Sequence, residues 1–297
     1  MKAIQPKLPP IGTLIKGTED CSQWIRTLAP MGFSCFSITF WEHLETIDLS
    51  KLCDSVSAAT EETNTFISTL SVYGNPLRPD ERGLKTMESM IKLIRVAPSF
   101  KCSVVSGFAG RLPGTSVTDS INTWKNAFLP LVELAEQQNI FLAFENCRLG
   151  DTWRNGKWNI AINPDAWELM FSAIPATNIG LEWEPCHQIE TLVNPLLQAD
   201  IWADRFIHIH GKDARINREL LAYNGIYGEK KFYTSCFPGN GDTDWKALIQ
   251  ILKNHQYTGT IDIEGWNDTE WSGDKEILGQ KRALDYLLTC TQGDEPH

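Results

Sequence analysis

Acidic and imidazole side chains lie near the ends of four strand-like segments in the second half of the chain. The segments read FLAFENC, IGLEWEPCH, FIHIHGKD and TIDIEGW, and the side chains near their ends are Glu145, Glu184, His210 and Glu264. Carboxylate oxygens and an imidazole that converge from several strand ends are typical ligands of a divalent metal. The sequence therefore predicts metal-assisted chemistry, and we expect the protein to be an enzyme.

The alternation of side chains along a β-strand gives these segments a direction, because residues two apart share a face. In FIHIH, Ile207 and Ile209 are expected to face outward, which turns the two histidines inward. The same rule in the other segments predicts two inward polar tiers, an upper one of Glu145, Glu184, His210 and Glu264 and a lower one of Glu182, His208 and Asp262.

Three carboxylates placed close together would repel one another and favour their own protonation unless a cation lies among them. A divalent cation in the upper tier removes this conflict. Mixed oxygen and imidazole ligands favour Mn²⁺ or Mg²⁺, and Co²⁺ and Zn²⁺ stay open. An unpaired charge in the deeper tier would be costly, so we expect those side chains to hydrogen-bond one another or to orient the ligands.

The elements that must position these residues follow from the hydrophobic pattern. Short apolar runs alternate with amphipathic stretches such as 83–96, 118–138 and 245–256, whose apolar residues recur three and four apart. Helix starts are predicted at Asn163 and at Asp242 or Thr243. The alternation predicts a (β/α)8 TIM barrel, one domain over 1–297, with strands near 12–14, 35–40, 65–71, 103–107, 141–145, 179–184, 206–210 and 260–264.

Composition limits the partners of this barrel. The chain has 297 residues, 42% of them hydrophobic, and a net charge of -10, so neither nucleic acid nor an anionic membrane is an expected partner. The segment MKAIQPKLPPIGTLIKG lacks the apolar centre of a signal peptide, and the cytoplasm is the expected location. The eight cysteines show no CxxC pair and are expected to be reduced and buried, Cys186 among them.

The segments resemble those of a known family, the xylose-isomerase-like sugar isomerases and epimerases. The resemblance rests on AFENC at 143–147, EPCH at 184–187, HIHGKD at 208–213 and DIEGW at 262–266, with GNPLRPD, NIAINPDAW and PGNGDTDW in support. It implies a TIM barrel in which Glu145 and Glu264 bind metal and act as acid and base, with Glu184 and His210 as further ligands. The family usually has Asp where this chain has Glu184 and Ser where it has Cys186.

Proton abstraction beside a carbonyl is the chemistry that suits this set of residues. A metal would stabilise the enediolate that forms when the proton leaves, and Glu145 and Glu264 would remove and return the proton. Return to the same carbon inverts it, and return to the neighbouring carbon interconverts aldose and ketose. His187, Lys212 and Arg215 are the expected substrate contacts. The absence of GxGxxG and Walker-type loops argues against a nucleotide cofactor.

Several alternatives stay open. The same proton removal followed by β-elimination would make the protein a lyase or dehydratase, of the inosose dehydratase or 3-keto-glycoside-cleaving type. An abasic-site endonuclease shares the barrel, but it would need more histidine ligands and a basic groove. A barrel without activity would only bind a carbohydrate or a protein, and a homo-oligomer is compatible with each reading. Tryptophans near strand ends suit the C–H face of a sugar, with Trp183 expected in the core: Trp153, Trp158, Trp183, Trp266 and Trp271.

Overall fold

The computed structural model describes residues 8–44 and 46–291. Its strands are β1 (Ile11–Lys16), β2 (Cys35–Trp41), β3 (Phe66–Tyr73), β4 (Val104–Gly107), β5 (Phe141–Glu145), β6 (Ile179–Trp183), β7 (Phe206–Gly211), β8 (Asp213–Ile216), β9 (Tyr233–Cys236) and β10 (Ile261–Ile263). Eight of them form a closed barrel in the order β1-β10-β7-β6-β5-β4-β3-β2. The predicted TIM barrel is confirmed, and each predicted apolar run overlaps one of its strands.

The other two strands, β8 and β9, were not predicted. They form an antiparallel pair in which Asp213 lies opposite Cys236 and Ile216 opposite Tyr233. Each has only four residues, and their sequences DARI and YTSC carry too few apolar side chains to show a strand periodicity. This hairpin directly follows Lys212, at the end of β7.

The helices alternate with the barrel strands as the pattern indicated. They are α1 (Cys21–Leu28), α2 (Leu49–Thr63), α3 (Glu81–Val96), α4 (Val117–Gln137), α5 (Pro164–Ala173), α6 (Cys186–Ile189), α7 (Pro195–Trp202), α8 (Arg218–Asn224), α9 (Trp245–Asn254) and α10 (Glu276–Thr291). The three predicted amphipathic stretches correspond to α3, α4 and α9, with ends that differ by at most two residues. None of the helices in the described part of the chain is long and apolar enough to cross a membrane.

One of the two predicted helix starts is correct and one is wrong. Asn163 caps α5, and its side chain accepts a hydrogen bond from the backbone N–H of Ala166. α9 is capped by Asp244, which accepts from the backbone N–H of Ala247, and not by Asp242 or Thr243. Thr243 is engaged elsewhere, because its hydroxyl donates a 2.7 Å hydrogen bond to Asp213. Three adjacent residues with capping side chains look equivalent in sequence, and only these tertiary contacts separate them.

The described chain falls into two compact units, which we call the first unit (Leu14–Trp183) and the second unit (residues from Glu184 onward together with residues up to Thr13). In the first unit, Trp124 and Phe128 of α4 pack on Phe144 of β5, with ring centroids 5.2 to 5.7 Å apart. In the second unit, the apolar face of α9 and the outward isoleucines of β10 are buried. These packed faces hold the strand ends that carry the polar residues.

Two further expectations concern the chain as a whole. All eight cysteines are free and buried, as predicted. The assignment of 1–297 to one domain stays a prediction. Residues 1–7, 45 and 292–297, which include the start of the N-terminal segment, lie outside the described residues.

Candidate metal centre

Three of the predicted metal ligands come together in the second unit. Glu184 directly follows β6, His210 lies near the end of β7, and Glu264 directly follows β10. Each offers one ligand atom, these atoms lie within 4.8 Å of one another, and all three side chains are buried. His210 Nδ1 lies 3.0 Å from Glu264 Oε2. Two carboxylates and an imidazole at this spacing are a donor set that fits a divalent cation.

A buried lysine forms an ion pair with Glu264. Lys212 Nζ donates a 2.5 Å hydrogen bond to Glu264 Oε1, and the lysine is 5% exposed. Burial alone would raise the pKa of Glu264, but the charges of Lys212 and His210 and their hydrogen bonds outweigh it and lower that pKa to about 2. Glu264 is therefore ionised, which a metal ligand or a base must be.

His187 lies beside Glu184, one of the predicted metal ligands. It belongs to the one-turn helix α6, where its Nε2 contacts Glu184 Oε1 and its Nδ1 lies 3.4 Å from Glu190 Oε1. All three side chains are buried. Sequence reasoning missed Glu190, although the spacing of three residues from Glu184 to His187 and again to Glu190 is the signal that helix geometry offers. The structure thus links the predicted substrate contact His187 to two carboxylates.

The deeper tier of the second unit behaves as predicted. His208 Nε2 and Asp262 Oδ2 are 2.6 Å apart, and both side chains are buried. The hydroxyl of Thr260 lies 3.5 Å from the same Asp262 oxygen. The rings of His208 and His210 meet edge to face, with centroids 5.2 Å apart. Asp262 therefore fixes His208, which packs against His210, one of the predicted metal ligands.

Glu145 and Glu182 belong to the first unit. Glu145 is the last residue of β5 and lies opposite Glu182 of β6 in the parallel register. The buried Glu182 accepts a 2.7 Å hydrogen bond from the hydroxyl of Tyr73. Burial, and then the charges of Glu182 and Glu145, raise the pKa of Tyr73 well above its usual value, so that its hydroxyl stays a donor. The metal-binding role of Glu145 stays a prediction.

The residues after β7 differ in burial and in their contacts. Asp213 is buried and accepts hydrogen bonds from the Thr243 hydroxyl and from Trp245 Nε1, which ties β8 to the start of α9. Burial raises the pKa of Asp213 to about 6 in spite of these donors. Arg215, the third predicted substrate contact, lies opposite Thr234 in the β8–β9 pair and is exposed.

The tryptophans near strand ends also differ in burial. Trp183 is buried in the core, as predicted. Trp153, Trp158, Trp266 and Trp271 are partly exposed. Trp41, which the sequence reasoning did not single out, ends β2 with half of its surface exposed.

The chain is similar to known proteins in family, sequence and structure. A family model described as a xylose isomerase-like TIM barrel matches residues 25–290. The uncharacterized protein YfiH of Bacillus subtilis (strain 168) is 24% identical over 293 residues, which cover 88% of this chain and 93% of the relative. Inosose dehydratase of Salmonella typhimurium is 34% identical over 103 residues, which cover 32% of this chain and 33% of that enzyme.

Among solved structures, the 3-keto-D-glucoside 4-epimerase YcjR from E. coli has a similar fold. The TM-score is 0.71 at 18% sequence identity, and the match covers 95% of this chain and 100% of the epimerase.

Proposed function

Because the chain belongs to the xylose isomerase-like TIM-barrel family, we propose that it is a metal-dependent isomerase or epimerase that acts on a keto or aldo sugar or on a ketone derived from a polyol. The observation that carries this proposal is the buried group of Glu184, His210 and Glu264, whose ligand atoms lie within 4.8 Å of one another. A carbohydrate is the expected small-molecule partner.

Glu145 is proposed as the fourth ligand, with Mn²⁺ or Mg²⁺ as the preferred ion. Its support is its position: it ends β5, which is the neighbour of β6 in the barrel order, and it lies level with Glu182, two residues before Glu184. When bound, the ion acts as a Lewis acid that stabilises negative charge on substrate oxygens.

Glu145 and Glu264 are the proposed acid and base. In this proposal the buried carboxylate of Glu264, which Lys212 contacts, accepts the proton from the carbon beside a carbonyl. Glu145, in its protonated form, would give its proton to the same carbon from the other side, which inverts that carbon. This step leaves Glu264 protonated and Glu145 ionised, and proton exchange with water would restore both carboxyl groups. His187 and Lys212 are proposed to bind substrate oxygens from their buried places beside Glu184 and Glu264, and Arg215 to bind from the exposed hairpin.

The test is isotope exchange in heavy water. The purified protein, first stripped with chelator and then supplied with Mn²⁺, is incubated with a panel of keto and aldo sugars. We expect metal-dependent deuterium incorporation beside the carbonyl and a new stereoisomer or aldose–ketose pair. Glu264→Gln and Glu145→Gln should abolish exchange, and the exposed Glu168→Gln should retain it. Exchange that needs no metal, or that survives both site variants, would refute the proposal.

A second candidate is a dehydratase or other carbon–oxygen lyase. It is favoured by the 103-residue match to inosose dehydratase, and it uses the same proton removal followed by loss of a β-substituent. The same incubation separates the two, because elimination releases water or an aglycone and leaves an unsaturated product. Accumulation of that product without reversible exchange selects the lyase.

A further inference from the structure

Two tryptophans of the first unit form a pair at the end of the barrel strands. Trp41 is the last residue of β2, and Trp158 lies in the segment that follows β5. Their ring centroids are 6.3 Å apart and the ring planes meet at 47°. Trp41 is 51% exposed. The exposed part of this indole is therefore accessible to an apolar surface of a ligand.

The backbone of Trp158 is held in place by a buried carboxylate. Asp151 accepts hydrogen bonds from three consecutive backbone N–H groups, those of Lys157, Trp158 and Asn159, at 2.9, 2.8 and 3.0 Å. Arg111, also buried, lies 3.8 Å from the same carboxylate. The buried carboxylate of Asp151 therefore fixes the backbone of residues 157–159 in the absence of a ligand.

The same segment is fixed to the proposed catalytic strand. The Asn159 side chain donates to the backbone carbonyls of Glu145 and Cys147, at 2.7 and 2.8 Å. A side-chain carbon added at Gly156 would lie only 2.4 Å from Asp151 Cγ, which shows how closely the segment folds on itself. Trp158 therefore has a set position relative to the end of β5.

Trp41 is equally constrained. It lies opposite Tyr73 in the register of β2 and β3, and the next residue, Glu42, donates its backbone N–H to the Tyr73 carbonyl at 2.8 Å. Glu42 then turns the chain with a φ of 58°. Backbone hydrogen bonds thus hold both tryptophans at the same end of the first unit's strands. Such preorganisation lowers the entropy lost when a ligand binds.

We propose that Trp41 and Trp158 form a subsite for a second pyranose ring, so that the substrate is a glycoside or disaccharide and not a free monosaccharide. This inference rests on the proposed function for the identity of the reacting ring. A pyranose presents an apolar C–H face that matches an exposed indole. Lys157, whose Nζ lies 5.9 Å from the centre of the Trp158 ring, adds a donor for hydroxyl oxygens beside the apolar surface.

Binding is measured by calorimetry on the full chain in excess chelator, with cellobiose, maltose, methyl glucosides and glucose as probes. We expect at least one disaccharide or glycoside to bind more tightly than glucose, and Trp41→Ala and Trp158→Ala to weaken it about tenfold, on the order of an aromatic contact. Trp24→Ala is the matched control, because Trp24 is exposed on α1. Trp41→Phe should keep part of the affinity. Equal binding by the wild type and both alanine variants, or no preference over glucose, overturns the subsite.

Turnover distinguishes this inference from the proposed function. If Trp41→Ala weakens disaccharide binding while no sugar is turned over, the subsite stands and the proposed function fails. If glycosides or disaccharides are turned over with the same kcat/KM by wild type and Trp41→Ala, the function stands and the subsite is wrong. Thermal melting of each variant verifies that it is folded, and Gly156→Ala, which displaces the segment but keeps both indoles, should also weaken binding.

Discussion

Lys212 and Glu264 form a buried ion pair, with Nζ 2.5 Å from Oε1. The second Glu264 oxygen lies 3.0 Å from His210 Nδ1, so the carboxylate joins the lysine to the candidate metal ligands. A cation bound at Glu264 must therefore be accommodated beside a fixed positive charge. Although burial raises the pKa of Glu264, the charge of Lys212 lowers it and keeps this carboxylate ionised in the absence of metal.

Replacement of Lys212 by methionine tests this pairing. Removing one partner of a buried pair leaves the other charge uncompensated, and we expect Lys212→Met to lower the free energy of unfolding of the metal-free protein by about 3–5 kcal/mol. Added Mn²⁺ should restore part of the loss, because it supplies a new partner for Glu264. Urea unfolding with and without chelator measures both effects. Lys212→Arg, which keeps the charge, is the control, and a metal-free Lys212→Met protein as stable as wild type would contradict the pairing.

Glu190 is predicted to position His187 for the substrate. Glu190→Ala removes the carboxylate 3.4 Å from His187 Nδ1, so the ring loses one of its two carboxylate neighbours. We expect KM to rise several-fold while kcat and the affinity for Mn²⁺ change little, because Glu184, His210 and Glu264 are untouched. Steady-state kinetics and metal titration measure the two. Glu190→Asp should recover part of the KM, and the exposed Glu219→Ala should behave as wild type.

A fall in kcat with unchanged KM would show instead that Glu190 acts on the chemical step. Loss of metal affinity would show that it supports Glu184 and not His187.

A surface histidine gives a pH-dependent prediction away from the site. Hydrogen bonds that the His255 ring donates to Asp204 first, and to Asp200, raise the pKa of His255. Because the folded pKa lies above the unfolded one, the stabilisation is complete below about pH 6.5 and is lost as the pH rises through the folded pKa. These groups are solvated, so the contribution is below about 1 kcal/mol. Unfolding of wild type and His255→Gln should differ at about pH 5.5 and converge at about pH 9. A constant difference would show that the ring acts by packing.

The sequence was sufficient for the barrel because its strands differ in pattern from its helices. Alternation in FIHIH and TIDIE predicted that His208 and Asp262 share the lower inward tier and that His210 and Glu264 share the upper one. The structure brings each of these pairs into contact, although the register of β7 and β10 sets Asp262 opposite His210. Glu184 and Glu264 were expected to be the last residues of their strands, and the structure places each one residue beyond the end.

What the sequence did not reveal depends on contacts between distant segments. Trp41 continues the apolar run of β2, and only the turn at Glu42 shows that it leaves the core. Lys212 was expected to face a substrate, but nothing near it in sequence indicated its pairing with Glu264, which lies 52 residues away. The cap of α9 at Asp244 was missed for the same reason, because Asp213 engages Thr243.

The hydrogen bond from Tyr73 to Glu182 lies within the first unit, and a single substitution tests how much it contributes to stability. Tyr73→Phe keeps the ring but removes the donor 2.7 Å from a buried carboxylate oxygen. A buried acceptor that loses its donor costs about 1–3 kcal/mol, so the variant should unfold at lower urea with an unchanged slope. Tyr223→Phe is the control, because its hydroxyl is on an exposed side chain. Equal midpoints for wild type and Tyr73→Phe would mean that Glu182 is stabilised by other neighbours, and that Tyr73 contributes to the strand ends near Glu145 by packing alone.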